Sequence, residues 1–205
     1  MNSAMNHAAT AAPPSPWVLR WAHLARAGGR VLDLACGSGR HAAWFAARGH
    51  AVLGVDRDGA ALAALPAGIE TLQADLEQGA WLLAGRAPFD AIVVTNYLHR
   101  PLWPHLIAAL APGGVLIYET FAAGNETVGK PSNPDFLLRP GELLDAVRGG
   151  LRVVAYEDGV LEVPRTAFVQ RLCAVREAAR EGEGKGGGEG GQAGAGAPPR
   201  YLLPG

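Results

Sequence analysis

Residues 31–41 read VLDLACGSGRH, and this stretch decides the fold. An apolar strand runs directly into two glycines, and residues 40–48 then carry a helical pattern that ends at Gly49. Gly37 and Gly39 can adopt dihedral angles that other residues avoid, so the backbone can pass close to a ligand. The helix that follows presents free N–H groups and the positive end of its dipole. The pattern predicts a ligand-binding turn at the carboxyl end of a strand.

This turn stands in a chain where strands and helices alternate. Strands are predicted over residues 30–35, 51–56, 69–75, 90–95, 115–121, 151–157 and 167–175. Helices are predicted over residues 17–25, 40–48, 59–65, 101–110 and 139–147. Apolar strands that alternate with helices predict an α/β fold, a doubly wound, mostly parallel sheet covered on both faces. Ligands of such sheets bind beyond the carboxyl ends of the strands.

The last two predicted strands are joined differently from the others. The residues between them, 158–166, read DGVLEVPRT and indicate a turn and a loop, because no helix of useful length fits there. Strands joined by a short connection pair antiparallel. The sequence therefore predicts an antiparallel pair at the sheet edge near the C-terminus.

The chain is predicted to hold one folded domain between two disordered tails. Residues 15–178 form the predicted domain, whose length allows a complete hydrophobic core. Residues 1–14 are small and polar with a proline pair, and residues 179–205 are dominated by glycine. Such segments cannot offset their ordering entropy by burial. The alternative for the second tail is a terminal peptide that docks on a partner through residues 201–203.

Composition narrows the class of protein. The formal net charge is -1, so no overall basic field attracts nucleic acid. Two distant cysteines, Cys36 and Cys173, are typical of a reducing cytosol rather than of a disulfide framework. The start lacks the pattern of a signal peptide, and no apolar run approaches the ~20 residues that span a bilayer. We expect a cytoplasmic protein without a membrane segment.

An acidic residue in the strand discriminates between two kinds of ligand. Gly37, Gly39 and Ala42 fit the G-x-G-x-x-A pattern of dinucleotide-binding turns. Asp33, however, precedes the glycines, and its carboxylate would repel a pyrophosphate. S-adenosylmethionine carries an ammonium group, a sulfonium and no phosphate, so it suits a carboxylate there. The alternative is that Asp33 caps a helix or pairs with a nearby loop.

Two further acids end predicted strands. Asp56 comes roughly 20 residues after the glycine turn, where a carboxylate accepts hydrogen bonds from ribose hydroxyls. Asp75 can accept a hydrogen bond from an adenine amino group, and the next residue, Leu76, can offer its backbone N–H to the ring. The alternative for Asp75 is an N-cap of a following helix. With these we group three neighbours as candidate cofactor-binding residues: Ala35, Cys36 and Arg57.

Together these motifs resemble the class I S-adenosylmethionine-dependent methyltransferases. The resemblance covers residues 30–175 and rests on residues 33–39, Asp56, the pair 74–75, the strand 89–96 and LAPGG at 110–114. It implies a seven-stranded, Rossmann-like sheet whose last strand is inserted antiparallel, with S-adenosylmethionine as the cofactor. The chain departs from the family at Ala35, where a glycine is usual. Within the family it is similar to small members of the tellurite-resistance (TehB-like) type.

The end of the fourth strand is the candidate substrate region. In the family this strand lies beside the first, so Asn96 and Tyr97 are expected to line the methyl-transfer channel. Asn96 then also contacts the cofactor. His99 and Arg100 are candidates for a base and an anion anchor, or else for a helix cap and a solvated flank. A base is needed only if the nucleophile must lose a proton. We expect no metal, because the histidines and cysteines show no zinc spacing.

Two segments are candidates for covering the site. Residues 122–138 form the longest irregular stretch, and such stretches in compact domains are often lids or binding loops. The alternative is a surface excursion with no role. In the first helix, Trp17 and Trp21 share one face at i, i+4. Trp17 is a candidate cofactor cover, whereas Trp21 is expected to pack in the core.

Three functions remain open at this point. The first is methyl transfer from S-adenosylmethionine to a small molecule, or else to an RNA or protein group. The second is an NAD-dependent oxidoreductase, which fits the glycines but not Asp33. The third is a non-catalytic member of the fold that binds cofactor but serves as a scaffold or subunit, and a partner-dependent RNA methyltransferase subunit lies between the first and the third. The sequence leaves the acceptor atom and the oligomeric state open.

Overall fold

The computed structural model describes residues 12–79, 81–178 and 200–203. Its α-helices are α1 (Pro16–Trp21), α2 (Arg40–Ala46), α3 (Gly59–Ala63), α4 (Trp103–Ala109) and α5 (Glu142–Val147). Its strands are β1 (Arg30–Leu34), β2 (Ala51–Asp56), β3 (Glu70–Gln73), β4 (Phe89–Thr95), β5 (Leu110–Phe121), β6 (Arg152–Leu161) and β7 (Ala167–Val175). Within these residues, seven strands form one sheet in the order β3-β2-β1-β4-β5-β7-β6. The predicted α/β sheet is confirmed.

Strand β1 lies at the point where the strand order reverses. Leu32 pairs with Leu53 of β2 on one side and with Ile92 of β4 on the other, both in parallel register. Leu32 packs in one hydrophobic cluster, whereas its neighbour Val31 packs in a second cluster. Because successive side chains of a strand point to opposite faces, the sheet is covered on both sides. A ligand site is therefore expected beyond the carboxyl end of β1.

The antiparallel prediction is also confirmed. Strand β7 lies between β5 and β6 and runs antiparallel to both. Leu172 of β7 pairs with Tyr118 of β5 and with Tyr156 of β6. This strand also contacts the candidate covering segment, residues 122–138, because Phe168 donates its N–H to the side chain of Asn125.

Some predicted boundaries were wrong. Strand β5 begins at Leu110 instead of residue 115, because Leu110 already pairs with Phe89 before an irregularity in the register. Helix α5 begins at Glu142 instead of residue 139, since Gly141 before it has a left-handed φ of 74°. The other helices are one to four residues shorter than predicted at one or both ends. Helix ends are where predicted bounds are least exact, because the terminal residues lack backbone hydrogen-bond partners within the helix.

The N-terminal helix begins at Pro16, one residue before the predicted bound, and it places both of its tryptophans in the core. Ser15 is the N-cap, and its hydroxyl accepts the N–H of Trp17 at 3.1 Å. Both Trp17 and Trp21 are only 2% exposed. The indole of Trp17 donates to the carbonyl of Leu172 at 3.2 Å. Trp17 is a core residue, so the prediction that it covers the cofactor was wrong.

Most of the two predicted tails, residues 1–11 and 179–199, lies outside the described residues. Part of the second one contacts the domain. Tyr201 packs on the cluster around α1, with the guanidinium of Arg152 5.4 Å from its ring centroid. A ring nitrogen of His23 lies 3.0 Å from the carbonyl oxygen of Leu202. Docking of residues 201–203 on another protein stays a prediction. No helix in the described part of the chain is long and apolar enough to cross a membrane.

Candidate functional site

A cavity of about 650 Å³ opens beyond the carboxyl ends of the central strands. Nine of the residues predicted for the site line it: Ala35, Cys36, Gly37, Asp56, Arg57, Asp75, Leu76, Asn96 and Tyr97. They come from the ends of β1, β2, β3 and β4, which are distant in sequence. The parallel order of these strands brings their ends together, as the position of β1 predicts.

The backbone turns sharply at the ends of β1 and β4. Ala35 has a φ of 52° and Asn96 a φ of 55°, and they are the two described non-glycine residues with positive φ. The left-handed conformation costs an alanine roughly 1–2 kcal/mol, whereas asparagine tolerates it better. The two turns are held from neighbouring strands, because Cys36 donates to the carbonyl of Val55 and Asn96 to that of Glu119. Strain of this kind is typical of ligand sites.

Cys36 is part of the packed wall of the cavity. Its thiol is buried, and burial, followed by the nearby carboxylates of Asp33 and Asp56, raises its pKa to about 12. A thiol with so high a pKa is protonated at neutral pH and a poor nucleophile. The other cysteine, Cys173, is also free and buried.

Asp56 organises the glycine turn. One oxygen of its carboxylate accepts the N–H of Gly37 at 2.7 Å, and the other accepts the N–H of Asp58 at 2.9 Å. The side chain also lines the cavity. A carboxylate in this place keeps lone pairs for a ligand, because each oxygen can accept more than one hydrogen bond.

The position of Asp33 corrects the sequence prediction. Its side chain is 1% exposed and does not line the cavity; one oxygen accepts the N–H of Ala42 in α2 at 2.8 Å. The other oxygen lies 4.0 Å from Nδ1 of His41. Burial raises the pKa of the Asp33 carboxyl to about 7, against the hydrogen bond from Ala42. The alternative interpretation, a cap beneath the turn, fits this geometry.

Gly39 also lies outside the cavity lining. A Cβ at this position would lie 1.9 Å from a methyl carbon of Leu65. Its φ of 68° is also left-handed, so both the lack of space and the backbone conformation require glycine here. Its role is close packing at the start of α2, not the direct ligand contact that we predicted.

A buried polar network missed by the sequence analysis ties the N-terminal segment to the site. The N–H of Ser15 donates to Nε2 of His41 at 3.1 Å, and its hydroxyl donates to Glu119 at 2.9 Å. Arg171 donates to the other oxygen of Glu119 at 2.5 Å. Burial, and to a lesser degree Arg40, lowers the pKa of His41 to about 3, so its ring is neutral at pH 7. No local pattern pointed to this network, because its members lie on four separate elements.

The network places the segment before α1 beside the cavity. Ala12 is one of the lining residues. The next residue, Pro13, accepts a hydrogen bond from Arg40 at 3.4 Å through its carbonyl. The first turn of α2 therefore contacts both the glycine turn and the N-terminal segment.

On the side of β3, the wall is acidic. Asp75 accepts the N–H of Glu77 at 3.0 Å within a turn rather than a helix, so it is not the N-cap of a following helix. The hydroxyl of Tyr97 is buried and has no hydrogen-bond partner among the described residues. Burial, then the carboxylates of Glu77 and Asp75, raises the pKa of Tyr97 well above its ordinary value. The tyrosine is therefore a protonated hydrogen-bond donor.

On the side of β5, the wall consists of residues that the sequence analysis did not name individually. Thr120 and Phe121 end β5, and Pro131 and Phe136 belong to the irregular segment 122–138. That segment was predicted to cover a substrate, and two of its residues do line the cavity. Asn125 ties the segment together by donating to the carbonyl of Pro131 at 2.9 Å, and it bridges the segment to the sheet by accepting the N–H of Phe168 in β7 at 3.2 Å.

The two last catalytic candidates lie outside this cavity. His99 borders a separate, smaller cavity of about 80 Å³. Arg100 pairs with the buried carboxylate of Glu142 at 2.7 Å and donates to the carbonyls of Asp135 and Leu137. The guanidinium is thus occupied within the chain, and the prediction of an anion anchor was wrong. Among the described residues, no group of three His, Cys, Asp or Glu side chains is arranged to hold a metal ion.

Comparison with known proteins was made by family model, by sequence and by structure. A family model described as a methyltransferase domain matches residues 5–145. No curated protein matches the sequence significantly. Many solved structures share the fold.

An S-adenosylmethionine-dependent methyltransferase from Mesorhizobium loti superposes with a TM-score of 0.61 at 21% identity, over 77% of this chain and 97% of that one. A TehB-like S-adenosylmethionine-dependent methyltransferase from Corynebacterium glutamicum superposes with a TM-score of 0.58 at 19% identity, over 78% of this chain and 87% of that one. TehB from Haemophilus influenzae superposes with a TM-score of 0.60 at 18% identity, over 73% of this chain and 58% of that one. The matched part thus spans little more than half the length of the Haemophilus protein.

Proposed function

This chain belongs to the methyltransferase domain family, and from that premise we propose that it transfers a methyl group from S-adenosylmethionine to a small-molecule acceptor. The observation that carries the proposal is the single cavity that joins the glycine turn, Asp56 and Asp75 to the end of β4. Its volume of about 650 Å³ lies within the range of small-molecule sites. A cofactor on the β1–β3 side leaves the β4–β5 side for an acceptor.

The residues on the cofactor side fit this cofactor. Asp56 suits the ribose hydroxyls, and Asp75 with the N–H of Leu76 suits the adenine ring. The wall carries three carboxylates, Asp56, Asp75 and Glu77, against two guanidinium groups, Arg40 and Arg57, and this small excess of negative charge suits a ligand with positive charge. Asp33 has an indirect role, because it does not line the cavity. Its carboxylate accepts the N–H of Ala42 and so fixes the start of α2 after the glycine turn.

The same geometry argues against a dinucleotide. A pyrophosphate would need the free N–H groups of the glycine turn. The N–H of Gly37 is already donated to Asp56, and this carboxylate would stand beside the phosphates. The NAD-dependent alternative is therefore disfavoured.

When bound, S-adenosylmethionine supplies a methyl group on a sulfonium, which is a leaving group that needs no further activation. The chain then has to orient the acceptor in line with the methyl group and to exclude water. Asn96 and Tyr97 lie at the junction of the two sides and serve as the positioning residues. The described residues of the β4–β5 wall carry no carboxylate, imidazole or amine, so an acceptor must present its lone pair without help from a base.

An RNA or protein acceptor, or a role as a non-catalytic subunit, is a weaker candidate. Neither is favoured by a surface among the described residues, and the net charge of -1 offers no attraction for RNA. We also propose a cytoplasmic location, because both cysteines are free and buried.

The test is isothermal titration with S-adenosylhomocysteine, with NADH as the parallel ligand. Micromolar binding of S-adenosylhomocysteine, without binding of NADH, supports the proposal. Asp75→Asn should weaken the binding of S-adenosylhomocysteine, whereas the control Asp145→Asn, on the surface of α5, should not. Binding of NADH alone would refute the proposal. Transfer of labelled methyl to low-molecular-weight acceptors then separates an enzyme from a non-catalytic subunit.

A further inference from the structure

The two sides of the cavity differ in charge. The charged lining residues lie on the side of β1, β2 and β3: Arg40 begins α2 after the glycine turn, and the others follow the ends of β2 and β3, namely Asp56, Arg57, Asp75 and Glu77. The opposite side is formed by Thr120, Phe121, Pro131 and Phe136, which carry no charge. An apolar wall lacks the groups that would compensate a buried carboxylate or phosphate.

Phe136 is an exposed aromatic side chain within this wall. It is 46% exposed, whereas Leu137 and Leu138 after it are 4% and 0% exposed. Phe121, on the neighbouring strand end, is 8% exposed. Apolar and aromatic side chains that line a cavity with few polar groups are typical of sites that bind apolar ligands. Covering the ring of Phe136 with a ligand would gain the hydrophobic free energy that the free protein forgoes.

Arg100 holds the backbone on both sides of Phe136. Its Nη1 donates to the carbonyl of Asp135 at 2.7 Å, and its Nη2 donates to the carbonyl of Leu137 at 2.9 Å. Its Nε donates to the carboxylate of Glu142 at 2.7 Å. A planar guanidinium with several donors in a fixed arrangement can make all these bonds at once, and a lysine cannot.

Glu142 in turn fixes Arg100. Its carboxylate is 4% exposed and also accepts the backbone N–H of Arg139 at 2.8 Å. Burial opposes its charge, but the hydrogen bonds from Arg100 and Arg139 outweigh burial and lower its pKa to about 2. The carboxylate is thus ionised throughout the neutral range, and the arrangement around Phe136 does not depend on pH there.

We propose that the acceptor is an apolar, aromatic nucleophile whose ring packs against Phe121, Pro131 and Phe136, and that Arg100 is the positioning residue that sets Phe136. An aromatic thiol serves as the probe, because it ionises in water without the help of a base. This inference rests on the proposed function. The thiol probe loses its proton to solvent, since the described residues of this wall include no base. The thiolate sulfur then bonds to the methyl carbon while the bond to the sulfonium breaks, and the electron pair of that bond stays on the departing sulfur. The products are an aryl methyl thioether and S-adenosylhomocysteine.

The first test compares thiophenol with 4-mercaptobenzoate, which has the same ring and thiol and adds a carboxylate. With labelled methyl donor, kcat/KM for thiophenol should exceed that for 4-mercaptobenzoate by about tenfold or more, since the carboxylate would be buried without a partner. Equal rates, or a preference for the carboxylate, would overturn the inference. S-adenosylhomocysteine binding, measured alongside, reports the proposed function separately, because its absence would refute that function itself.

The second test concerns the wall. Phe136→Ala should raise KM for thiophenol about tenfold and leave the Kd for S-adenosylhomocysteine unchanged. Val128→Ala is the matched control, because Val128 is 43% exposed in the same segment and does not line the cavity. If wild type methylates neither thiol, titration of thioanisole into the S-adenosylhomocysteine complex decides. Binding that Phe136→Ala weakens supports the inference, and equal or no binding refutes it.

The third test concerns Arg100. Arg100→Lys should raise KM for thiophenol as Phe136→Ala does, and the double variant should be no worse than either single one, because one residue acts through the other. The readout in the absence of turnover is thioanisole binding to the same variants. Additive effects, or a lowered melting temperature with unchanged KM, would assign Arg100 a merely structural role. Arg148→Lys, in an exposed pair with Asp145, is the control.

Discussion

The backbone N–H of Gly37 lies 2.7 Å from a carboxylate oxygen of Asp56, so the glycine turn after β1 is held from the end of the neighbouring strand β2. The other oxygen accepts the N–H of Asp58, the N-cap of α3. One carboxylate therefore sets both the turn and the start of the next helix, and its side chain still lines the cavity. Local folding and the proposed cofactor binding therefore involve the same residue.

The first prediction follows for Asp56→Ala. Two N–H groups lose their acceptor, so the free energy of unfolding should fall by about 1–3 kcal/mol. The Kd for S-adenosylhomocysteine should rise at least about tenfold, because the proposed ribose acceptor is lost as well. Urea unfolding and calorimetric titration measure the two effects. Unchanged affinity in a folded variant would show that Asp56 is no part of the ligand site, and Asp145→Ala is a control on the surface.

The second prediction concerns the alanine in left-handed conformation. Ala35→Gly should raise the free energy of unfolding by up to about 1 kcal/mol, since glycine takes a φ of 52° without strain. The gain is limited because glycine is also more flexible in the unfolded chain. Ala61→Gly, inside α3, should instead lower it by about 1 kcal/mol. A loss of stability in Ala35→Gly would mean that the methyl group contributes packing that outweighs the strain.

The third prediction is a pH dependence that Asp33 causes. Burial raises its folded pKa from 3.8 to about 7, so between these values the folded state holds a proton that the unfolded chain has lost. Stability from this group is therefore complete below about pH 4 and decreases as the pH rises to 7. Asp33→Asn keeps the acceptor for Ala42 and removes the titration. The difference in the free energy of unfolding, variant minus wild type, should grow between pH 4 and 7, towards about 4 kcal/mol at most, and then level off.

Urea unfolding of both proteins at several pH values checks this prediction. His41 titrates in the opposite sense, since burial lowers its pKa from 6.5 to about 3 and its contribution is lost as the pH falls through this range. Because His41 is present in both proteins, its effect cancels in the difference except for the part that comes from its contact with Asp33, 4.0 Å away. Parallel pH profiles would mean that Asp33 is ionised in the folded protein at all these pH values.

The fourth prediction concerns the attachment of the N-terminal segment. His41→Ala removes the acceptor for the N–H of Ser15, which should exchange with solvent at least about tenfold faster, and stability should fall by about 1–3 kcal/mol. Amide hydrogen exchange at Ser15 measures the first effect. His50→Ala is the matched control, since that ring packs on Phe45 at the other end of α2 and makes no bond to Ser15. Unchanged exchange would show that the bonds of Ser15 to Glu119 suffice.

The order of elements and part of the site could be predicted because their signals are local. Glycines after an apolar strand, and acids at the ends of β2 and β3, mark the cavity through the periodicity of the chain alone. The direction in which a side chain points from a turn is a different matter. Asp33 precedes the glycines as expected, yet its carboxylate lies under α2 because the first turn of that helix leaves the N–H of Ala42 without a backbone acceptor.

The sequence by itself determined that the chain is an α/β protein with a glycine turn after β1 and with Asp56 and Asp75 at the neighbouring strand ends, since hydrophobic periodicity and turn residues act over short distances. Only the tertiary structure decided which side chains meet. In the structure, Arg100 donates hydrogen bonds to the backbone on both sides of Phe136, although it was predicted as an anion anchor. Likewise, Ser15, His41 and Glu119 meet in one buried network. The physical reason is that burial and hydrogen bonding between distant segments depend on the packing of the whole sheet, which no local pattern records.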